Sequence, residues 1–323
     1  MKGRKAMVEK RKIVLIGTGF VGMSFAYSLL NQGGINELVL VDIMKEKAEG
    51  EAMDLSHGLS CAPSRINIKS GEYSECKDAN IVVITAGIAQ KPGQTRLELA
   101  TTNAKIMKEI TENVISSGFK GIFVVASNPV DIMTYVVSKV SGFPKNKVIG
   151  SGTVLDTARL RYILGEYFNV YSKNIHAYIM GEHGDSSFVP WTHCYIGCKN
   201  IIEVLEDRHQ DIGILEEIYK DVQQAAYEII NRKKATYYGI GLALTKLIKA
   251  IINDEEQILS ISTKLEGEYK HKGLFIGVPA IVNRNGVREI LELRLTKEEQ
   301  EKFDYSWDTL EKTIQEAIEP LLN

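Results

Sequence analysis

The stretch Lys12-Ile13-Val14-Leu15-Ile16-Gly17-Thr18-Gly19-Phe20-Val21-Gly22 decides the fold. Its first five residues form an apolar, β-branched run that predicts a buried strand. The next six have the spacing G-x-G-x-x-G at the start of a helix. Glycines at these positions allow a tight turn and the close approach of a pyrophosphate to the helix N-terminus. Alone, this spacing is weak evidence, because turn glycines without a ligand also show it.

A carboxylate 20 residues after Gly22 strengthens the prediction of a dinucleotide site. Asp42 ends the next apolar run, Glu37 to Val41, where it can accept hydrogen bonds from an adenosine ribose. The same negative charge would repel the 2′-phosphate of NADP. The sequence therefore predicts NAD as the cofactor.

Short apolar runs alternate with amphipathic helical stretches through the first half of the chain. Besides the two runs already named, they are Ile66 to Lys69, Ile81 to Thr85, Gly121 to Ala126 and Lys147 to Ile149. Six strands in this rhythm predict an α/β fold with a doubly wound, parallel sheet of the Rossmann type. Ligands are expected beyond the carboxyl ends of its strands. We assign residues 1–150 to this dinucleotide-binding domain.

The pattern after Gly150 is α+β, and we assign residues 151–323 to a second, substrate-binding domain. We predict helices at Thr153 to Phe168, Leu215 to Lys234 and Thr296 to Leu322, and strands around Ile175 to Met180, Phe188 to Ile196, Ile258 to Leu265 and Leu274 to Val282. No repeat or flexible linker separates the halves, so we expect them to pack tightly around a cleft.

Composition and charge narrow the class of protein. The 323 residues are 44% hydrophobic, which suffices for a large core. A formal net charge of −2 gives no reason to expect nucleic acid or an anionic membrane as a partner. No apolar run approaches the roughly 20 residues of a membrane helix, and the basic segment Met1 to Arg11 lacks the apolar region of a signal peptide. We therefore predict a cytoplasmic protein that binds a small molecule.

The four cysteines are not arranged for a disulfide framework or a metal site. Cys194 and Cys198 have no second ligand pair at zinc-site spacing, and Cys61 and Cys76 stand apart from them. We expect reduced thiols and no metal.

Two further strand ends extend the predicted cofactor groove. Gly87 permits close contact with a cofactor, and Ser127 and Asn128 follow the fifth strand. Asn128 could hydrogen-bond the nicotinamide side or a substrate hydroxyl, or it could cap the following helix; the sequence leaves both open. Lys47 and Tyr73 could flank the adenosine, or they could be a solvated lysine and a surface tyrosine.

The stretch Gly181-Glu182-His183-Gly184-Asp185-Ser186 places a histidine among glycines and acids. Histidine suits the oxidation of a small 2-hydroxy acid near neutral pH, because a proton must leave or join the oxygen as hydride is transferred. A carboxylate on its other ring nitrogen would fix the tautomer and raise its pKa, and Asp156 is the best supplier. The alternative is a structural histidine.

Two arginines could complete such a site. Arg159 lies three residues after Asp156 on the same helical face, where it could bind a substrate carboxylate through two parallel hydrogen bonds. An exposed salt bridge between the two is the alternative. Arg96 follows a loop with glycine and proline hinges that could close as a lid, bringing the arginine to the substrate oxygen and excluding water.

These motifs resemble those of the bacterial L-lactate dehydrogenases, within the lactate and malate dehydrogenase superfamily. The resemblance covers nearly the whole chain; Gly-Glu-His-Gly-Asp-Ser is highly specific, and Met180 before it replaces the commoner leucine or isoleucine. It implies that His183 is the proton donor and acceptor, with Asp156 as its partner, Arg159 as carboxylate binder and Arg96 as the polarising arginine of the lid. It also implies the L stereochemistry and a homotetramer.

The resemblance makes Gln90, in the lid, the residue that selects the substrate. The malate enzymes have an arginine at the corresponding position, which pairs with the second carboxylate of oxaloacetate. Against a neutral glutamine that carboxylate would be buried unpaired, whereas a methyl group is accepted readily. We therefore predict pyruvate and L-lactate as substrates. Malate dehydrogenase is the alternative, since Lys91 could swing inward, and a further alternative is an NAD-binding protein with a structural or regulatory role.

The resemblance adds one substrate-side residue and one contact to the nicotinamide. Thr236 matches the position that bounds substrate size, and Ile240 matches the apolar contact beside nicotinamide, although as plain sequence both fit a helix start. Val21 and Ser151 complete the predicted cofactor contacts.

Arg161 and His176 match the positions where the family binds fructose 1,6-bisphosphate across a subunit interface. Arg161 points about 200° away from Arg159 around the helix, so it cannot serve the same pocket. We predict that the bisphosphate activates the enzyme there; two interface or surface cations without a ligand are the alternative.

Overall fold

The computed structural model describes residues 11–88 and 96–322, except for the side chain of Arg96. Gln90, Lys91, the Arg96 side chain and the first ten residues lie outside this description. What we predict for them from the sequence therefore stays a prediction.

The described chain contains strands and helices in the order the sequence predicts for its first half. The strands are β1 (Lys12–Ile16), β2 (Glu37–Val41), β3 (Asn67–Ser70), β4 (Ile81–Ile84), β5 (Ile122–Val125), β6 (Val148–Gly150), β7 (Ile175–His176), β8 (Tyr195–Ile196), β9 (Lys199–Asn200), β10 (Gln257–Glu266), β11 (Lys272–Asn283) and β12 (Gly286–Ile290). The helices are α1 (Phe20–Gln32), α2 (Lys45–His57), α3 (Arg96–Ser116), α4 (Val130–Ser141), α5 (Val154–Phe168), α6 (Ile201–Asp207), α7 (Ile214–Lys233), α8 (Tyr238–Ile252), α9 (Lys297–Thr313) and α10 (Glu319–Leu322).

The first six strands form the predicted parallel sheet. Their order is β3-β2-β1-β4-β5-β6, and each neighbouring pair is parallel. Every residue of β1, β2 and β4 is buried, as expected for strands that helices cover on both faces. This is the doubly wound order, in which successive strands are added on one side of β1 up to β3 and on its other side from β4 onwards. The predicted fold class is confirmed.

The sheet does not end at β6, which corrects the prediction of a six-stranded sheet. Three antiparallel strands of the second half, β10, β11 and β12, extend it to nine strands. The junction is the pairing of Ser262 with Gly150. A Cβ added at Gly150 would lie 2.4 Å from Oγ1 of Thr134 and 2.7 Å from Cβ of Ser262, so the absence of a side chain permits this close approach.

The strands that we predict on either side of His183 are shorter than expected. β7 and β8 pair over two residues each, and Met180 and Phe188 form an isolated antiparallel bridge. Between Phe188 and β8 the chain turns through a 3₁₀ segment, Trp191–His193, directly after Pro190. Proline has no N–H to donate to a strand partner, which explains why the pairing stops there.

Two apolar clusters pack on the nine-stranded sheet, one including Phe123 and Phe303 and the other including Phe25 and Leu244. A third cluster, around Leu164 and Ile179, holds α5 and α7 against the strands of the small sheet.

Among the described residues, no helix is long and apolar enough to cross a membrane. All four cysteines are free thiols, as predicted.

Candidate active site

The glycine turn between β1 and α1 is built from close backbone contacts. Gly17 has φ of +102°, and a Cβ there would lie 2.6 Å from the backbone nitrogen of Ala86. The hydroxyl of Thr85 donates to the carbonyl oxygen of Gly17 at 2.8 Å. A Cβ at Gly22 would lie 2.1 Å from the same carbonyl oxygen, whereas one at Gly19 would meet no atom of the described residues within 4 Å. Gly17 and Gly22 thus permit the turn, and Gly19 leaves open space in front of it.

Asp42 lies directly after β2, with its carboxylate turned to the glycine turn. Its Oδ2 accepts hydrogen bonds from the backbone N–H of Thr18 at 2.7 Å and from the Thr18 hydroxyl at 2.8 Å, and its Oδ1 accepts from the N–H of Met44 at 2.9 Å. Burial acts to raise the pKa of Asp42, but these hydrogen bonds and the charge of Lys47 outweigh it and lower that pKa. A carboxylate can accept about four hydrogen bonds, so capacity for a ribose hydroxyl remains.

The ends of β4 and β5 lie beside the glycine turn, as predicted. The Ser127 hydroxyl is buried and donates to the carbonyl oxygen of Ala86 at 2.6 Å. Asn128 is exposed, and the N-cap of α4 is Pro129, with no capping hydrogen bond from a side chain. Helix capping by Asn128, one of the two alternatives left open by the sequence, is therefore wrong.

Asn103 is a residue near this edge that the sequence analysis missed. It is 2% exposed on α3, and its side-chain amide bonds both backbone groups of Ile88: Oδ1 accepts from the N–H at 2.9 Å and Nδ2 donates to the carbonyl at 3.2 Å. Nδ2 also donates to the carbonyl oxygen of Asn128 at 2.7 Å. A buried asparagine on a helix has no motif around it that would reveal these partners.

One carboxylate joins the two groups that the sequence predicts for catalysis. Nδ1 of His183 lies 2.6 Å from Oδ2 of Asp156, and Nη1 of Arg159 donates to Oδ1 of Asp156 at 2.8 Å. The side chains of Asp156 and Arg159 are 16% and 14% exposed, so the exposed salt bridge that we considered as an alternative is wrong. With Nδ1–H directed at Asp156, Nε2 is the ring nitrogen available to a ligand.

The charges of this group favour protonated histidine. The Asp156 carboxylate raises the pKa of His183 to about 9, against the opposing effect of burial. Burial acts to raise the pKa of Asp156, but His183 and then Arg159 outweigh it and lower that pKa. The sequence analysis also predicted that Asp156 raises the pKa of His183, and the structure agrees.

The loop that holds His183 is attached to three other elements. Gly181 and Gly277 of β11 exchange two backbone hydrogen bonds of 2.9 and 3.0 Å. The N–H of Glu182 donates to the hydroxyl of Ser306 on α9 at 2.7 Å, and the N–H of His183 donates to Oδ2 of Asp131 on α4 at 2.8 Å. The backbone on both sides of the histidine ring is therefore fixed from outside the loop.

The comparisons with known proteins agree with this geometry. The model of the lactate/malate dehydrogenase NAD binding domain matches residues 11–150, and the model of the lactate/malate dehydrogenase alpha/beta C-terminal domain matches residues 153–320. The chain belongs to the lactate/malate dehydrogenase family. The predicted class of enzyme, an NAD-dependent dehydrogenase, and NAD as its cofactor are thereby confirmed.

Several named members of the lactate/malate dehydrogenase family are about 50% identical to this chain over nearly its whole length. L-lactate dehydrogenase 1 of Bacillus cereus (strain ATCC 10987 / NRS 248) is 54% identical over 304 residues, which are 94% of this chain and 97% of the relative. L-lactate dehydrogenase 2 of Bacillus anthracis is 53% identical over the same shares. The ligand-bound crystal structure of the minor L-lactate dehydrogenase from Enterococcus mundtii superimposes with a TM-score of 0.93 at 50% identity, covering 95% of this chain and 98% of that one.

The remaining residues predicted to contact the family's cofactor differ in exposure. Val21 on α1 and Ile240 on α8 are both partly buried against the same core cluster, and Ser151 is buried after β6. Lys47 is exposed on α2, whereas Tyr73 is half-buried against the core and is therefore not the surface tyrosine considered as an alternative.

Thr236 is half-buried in the segment between α7 and α8. The residue at the N-cap of α8 is Tyr237. Thr236 therefore lies just before α8, which begins at Tyr238, so the helix start that we considered as an alternative is present in this segment and the role of Thr236 stays a prediction.

Two alanine substitutions separate the structural from the ligand-binding role of the glycines. We expect Gly22→Ala to lower the free energy of unfolding by about 1–3 kcal/mol or more, because its Cβ would overlap a backbone oxygen that cannot easily move. Gly19→Ala is the matched control, with room for its Cβ. We expect it to keep the melting temperature and to weaken NADH binding, since the second glycine allows the pyrophosphate to approach the backbone. Thermal unfolding and NADH fluorescence titration measure the two effects; equal melting temperatures for both variants would contradict this account.

Proposed function

We propose that the protein is an L-lactate dehydrogenase that catalyses the reversible reduction of pyruvate to L-lactate. The observation that carries the proposal is the Asp156 carboxylate, which holds His183 through one oxygen and Arg159 through the other. A proton donor and a carboxylate-binding group are thus fixed relative to each other, as a 2-oxo acid requires. The curated relatives named L-lactate dehydrogenase support this function.

The chain's own groups account for binding and proton transfer. Arg159 binds the substrate carboxylate with the guanidinium N–H groups that Asp156 does not use. His183, protonated at neutral pH because of Asp156, hydrogen-bonds the keto oxygen through Nε2 and gives it the proton. The cofactor, when bound along the glycine turn, supplies the hydride. Asp156 stabilises the imidazolium before the transfer and holds the neutral ring in the correct tautomer afterwards.

The preference for pyruvate over oxaloacetate rests on Gln90, with Arg96 as the polarising residue and Asn128 and Thr236 as further substrate contacts. We expect the wild type, supplied with NADH, to reduce pyruvate with a higher kcat/KM than oxaloacetate. Gln90→Arg should shift the preference towards oxaloacetate by roughly tenfold or more, because the new guanidinium pairs with the second carboxylate. Steady-state kinetics with both substrates measure this. Pyruvate selectivity that survives the substitution would overturn the role of Gln90, and a wild type that reduces neither acid would overturn the enzyme itself.

We propose further that fructose 1,6-bisphosphate activates the protein by binding at Arg161 and His176. Nε of Arg161 donates to the carbonyl oxygen of Ala177 at 2.9 Å, which places this arginine next to the exposed His176. The pKa of Lys246 on α8 is lowered by partial burial and also by the charges of Arg161 and Lys173. Such a cluster of cations, two of which the sequence analysis missed, favours a ligand with phosphate groups.

The surface around this cluster supports a homotetramer in which the site lies at a subunit interface. Tyr162 follows Arg161 in the chain, Tyr171 contacts Lys173, and Tyr195 pairs with His176. These three side chains are 61%, 67% and 37% exposed. Exposed aromatic side chains are typical of surfaces that partner subunits cover. Two symmetry-related cation clusters would then face one anionic ligand and bias the tetramer towards its active state.

A kinetic comparison tests the bisphosphate site. We expect fructose 1,6-bisphosphate to lower the pyruvate concentration at half-saturation in the wild type and to have no effect on Arg161→Gln. A monophosphate ester such as fructose 6-phosphate serves as the control ligand, since it cannot bridge two clusters. If the bisphosphate leaves the substrate dependence of the wild type unchanged, the site is not regulatory in this protein.

We also propose the division of the chain into residues 1–150 and 151–323, and a cytoplasmic location. The boundaries of the two family models support the division.

A further inference from the structure

Asp131 is a buried carboxylate that the mechanism above does not use. It is the second residue of α4 and is 1% exposed. Its Oδ2 accepts the backbone N–H of His183 at 2.8 Å. Its Oδ1 is buried and forms no hydrogen bond of normal geometry with any residue that the structure describes, and the same is true of the nearby hydroxyl of Ser262 on β10. A buried oxygen of this kind requires an explanation, because nearly all others in folded proteins are paired.

An amide would serve the structural purpose of this residue equally well. The oxygen of asparagine can accept the N–H of His183, and asparagine has almost the same shape as aspartate. A carboxylate adds a negative charge whose burial opposes folding. The N-terminus of α4 compensates part of this effect, since helix N-termini favour anions. The remaining consequence of the charge is its electrostatic effect on the neighbouring imidazole.

We propose that Asp131 is a positioning residue of the active site, which holds the backbone of His183 and maintains a second negative charge near its ring. The proposal rests on the proposed dehydrogenase function. Asp156 orients the ring from α5, and Asp131 supports the same residue from α4. The protonated imidazole that donates to the keto oxygen is thus stabilised by two carboxylates on different helices.

The charges around Asp131 agree with this role. Its pKa is raised to about 6, first by burial, while Ser262, the N–H of His183 and the imidazolium charge act to lower it and Glu182 acts to raise it. Asp131 is therefore mostly ionised at neutral pH. Among the groups that act on the His183 ring, Asp156 and Asp131 raise its pKa, and Arg159 lowers it.

The sign of the effect follows from these charges. Reduction of pyruvate needs protonated His183, so kcat/KM falls as pH rises through the pKa of that histidine. Asp131→Asn removes a negative charge and lowers this pKa, while its amide oxygen still accepts the N–H of His183. The fall of kcat/KM should then occur at a lower pH than in the wild type, by about 0.5 pH unit or more. At pH 6 the two proteins should have similar kcat/KM values.

The control is Glu182→Gln, which removes a carboxylate one residue from His183. Glu182 accepts the hydroxyl of Ser186, and we expect its removal to move the profile less than Asp131→Asn does. Ser262→Ala is a second variant that leaves Asp131 in place. Ser262 lowers the pKa of Asp131, but Asp131 is ionised at the pH where His183 titrates with or without this hydroxyl, so the profile of Ser262→Ala should stay close to that of the wild type.

A direct titration of His183 separates this inference from the proposed function. NMR spectra of histidine-labelled protein with NADH, assigned with a His183→Asn variant, report the pKa of His183 without turnover. Equal values in the wild type and Asp131→Asn would overturn the role of Asp131, even in a fully active dehydrogenase. A lower value in Asp131→Asn in a protein that does not reduce pyruvate would instead contradict the function alone. If Asp131→Asn does not fold, Asp131→Ser, which also removes the charge and keeps a hydroxyl oxygen on the same side chain, decides the matter by the same measurement.

Discussion

Replacement of His183 by asparagine is expected to lower kcat for pyruvate reduction by about 10²–10⁴-fold, the usual contribution of a positioned general acid. Asparagine can hydrogen-bond the keto oxygen but cannot give it a proton at neutral pH. NADH binding should be unchanged, because the ring is not part of the glycine turn or its neighbours. Stopped-flow measurement of NADH oxidation in a single turnover, together with an NADH titration, checks both parts.

His271 provides a matched control for this variant. It forms a second histidine–aspartate pair, with Nε2 2.7 Å from Oδ1 of Asp304, and its side chain is 18% exposed and stacked on Trp307. His271→Asn should therefore lose some stability and retain its kcat. If both variants lose activity to the same extent, the effect of His183→Asn is structural rather than catalytic.

Replacement of Arg159 by lysine is expected to raise KM for pyruvate by about a hundredfold. Lysine keeps the positive charge but cannot form two parallel hydrogen bonds to a carboxylate. The lost charge-assisted hydrogen bond corresponds to roughly 3 kcal/mol, and each 1.4 kcal/mol is a factor of ten. Because Asp156 also loses a donor from Arg159, a smaller fall in kcat should accompany the change in KM.

Arg284→Lys is the control for this substitution. Arg284 lies at the turn between β11 and β12. It also forms an ion pair with an aspartate, since its Nε is 2.8 Å from Oδ2 of Asp254. Its replacement by lysine should leave both KM and kcat close to the wild-type values. Initial rates over a range of pyruvate concentrations distinguish the two variants, and an unchanged KM in Arg159→Lys would show that another group binds the substrate carboxylate.

The sequence predicted the parallel strands well because their signal is local. β1 and β2 have the predicted bounds, and the other four differ by one residue at one or both ends. Except in the edge strand β3, both faces of these strands are buried, so each is a continuous apolar run that can be recognised without its neighbours. The extension of the sheet by β10 could not be predicted in this way. Its pairing with β6 joins Ser262 to Gly150, and no local pattern records a contact over such a separation.

The candidate site also contains residues that local patterns predict and residues whose partners lie far away in the sequence. His183, Asp156 and Arg159 stand in motifs whose spacing suggests their chemistry, and the structure brings them together. Asp131 and Asn103 are single polar residues on helices, and only the packing of those helices gives them their partners. Sequence reasoning therefore finds the groups that react more readily than the groups that hold them in place.

The shared sheet restricts how this protein could be recombined with its relatives. A chimera that took residues up to β6 from one parent and the remainder from another would create a new edge-to-edge contact at the pairing of Gly150 with Ser262. A fragment that ended at β6 would leave the backbone N–H and C=O groups on that side of the strand without β10. Unpaired edges of this kind promote aggregation. Successful crossovers should therefore preserve β6, β10 and the contact of Thr134 with Gly150 from one parent.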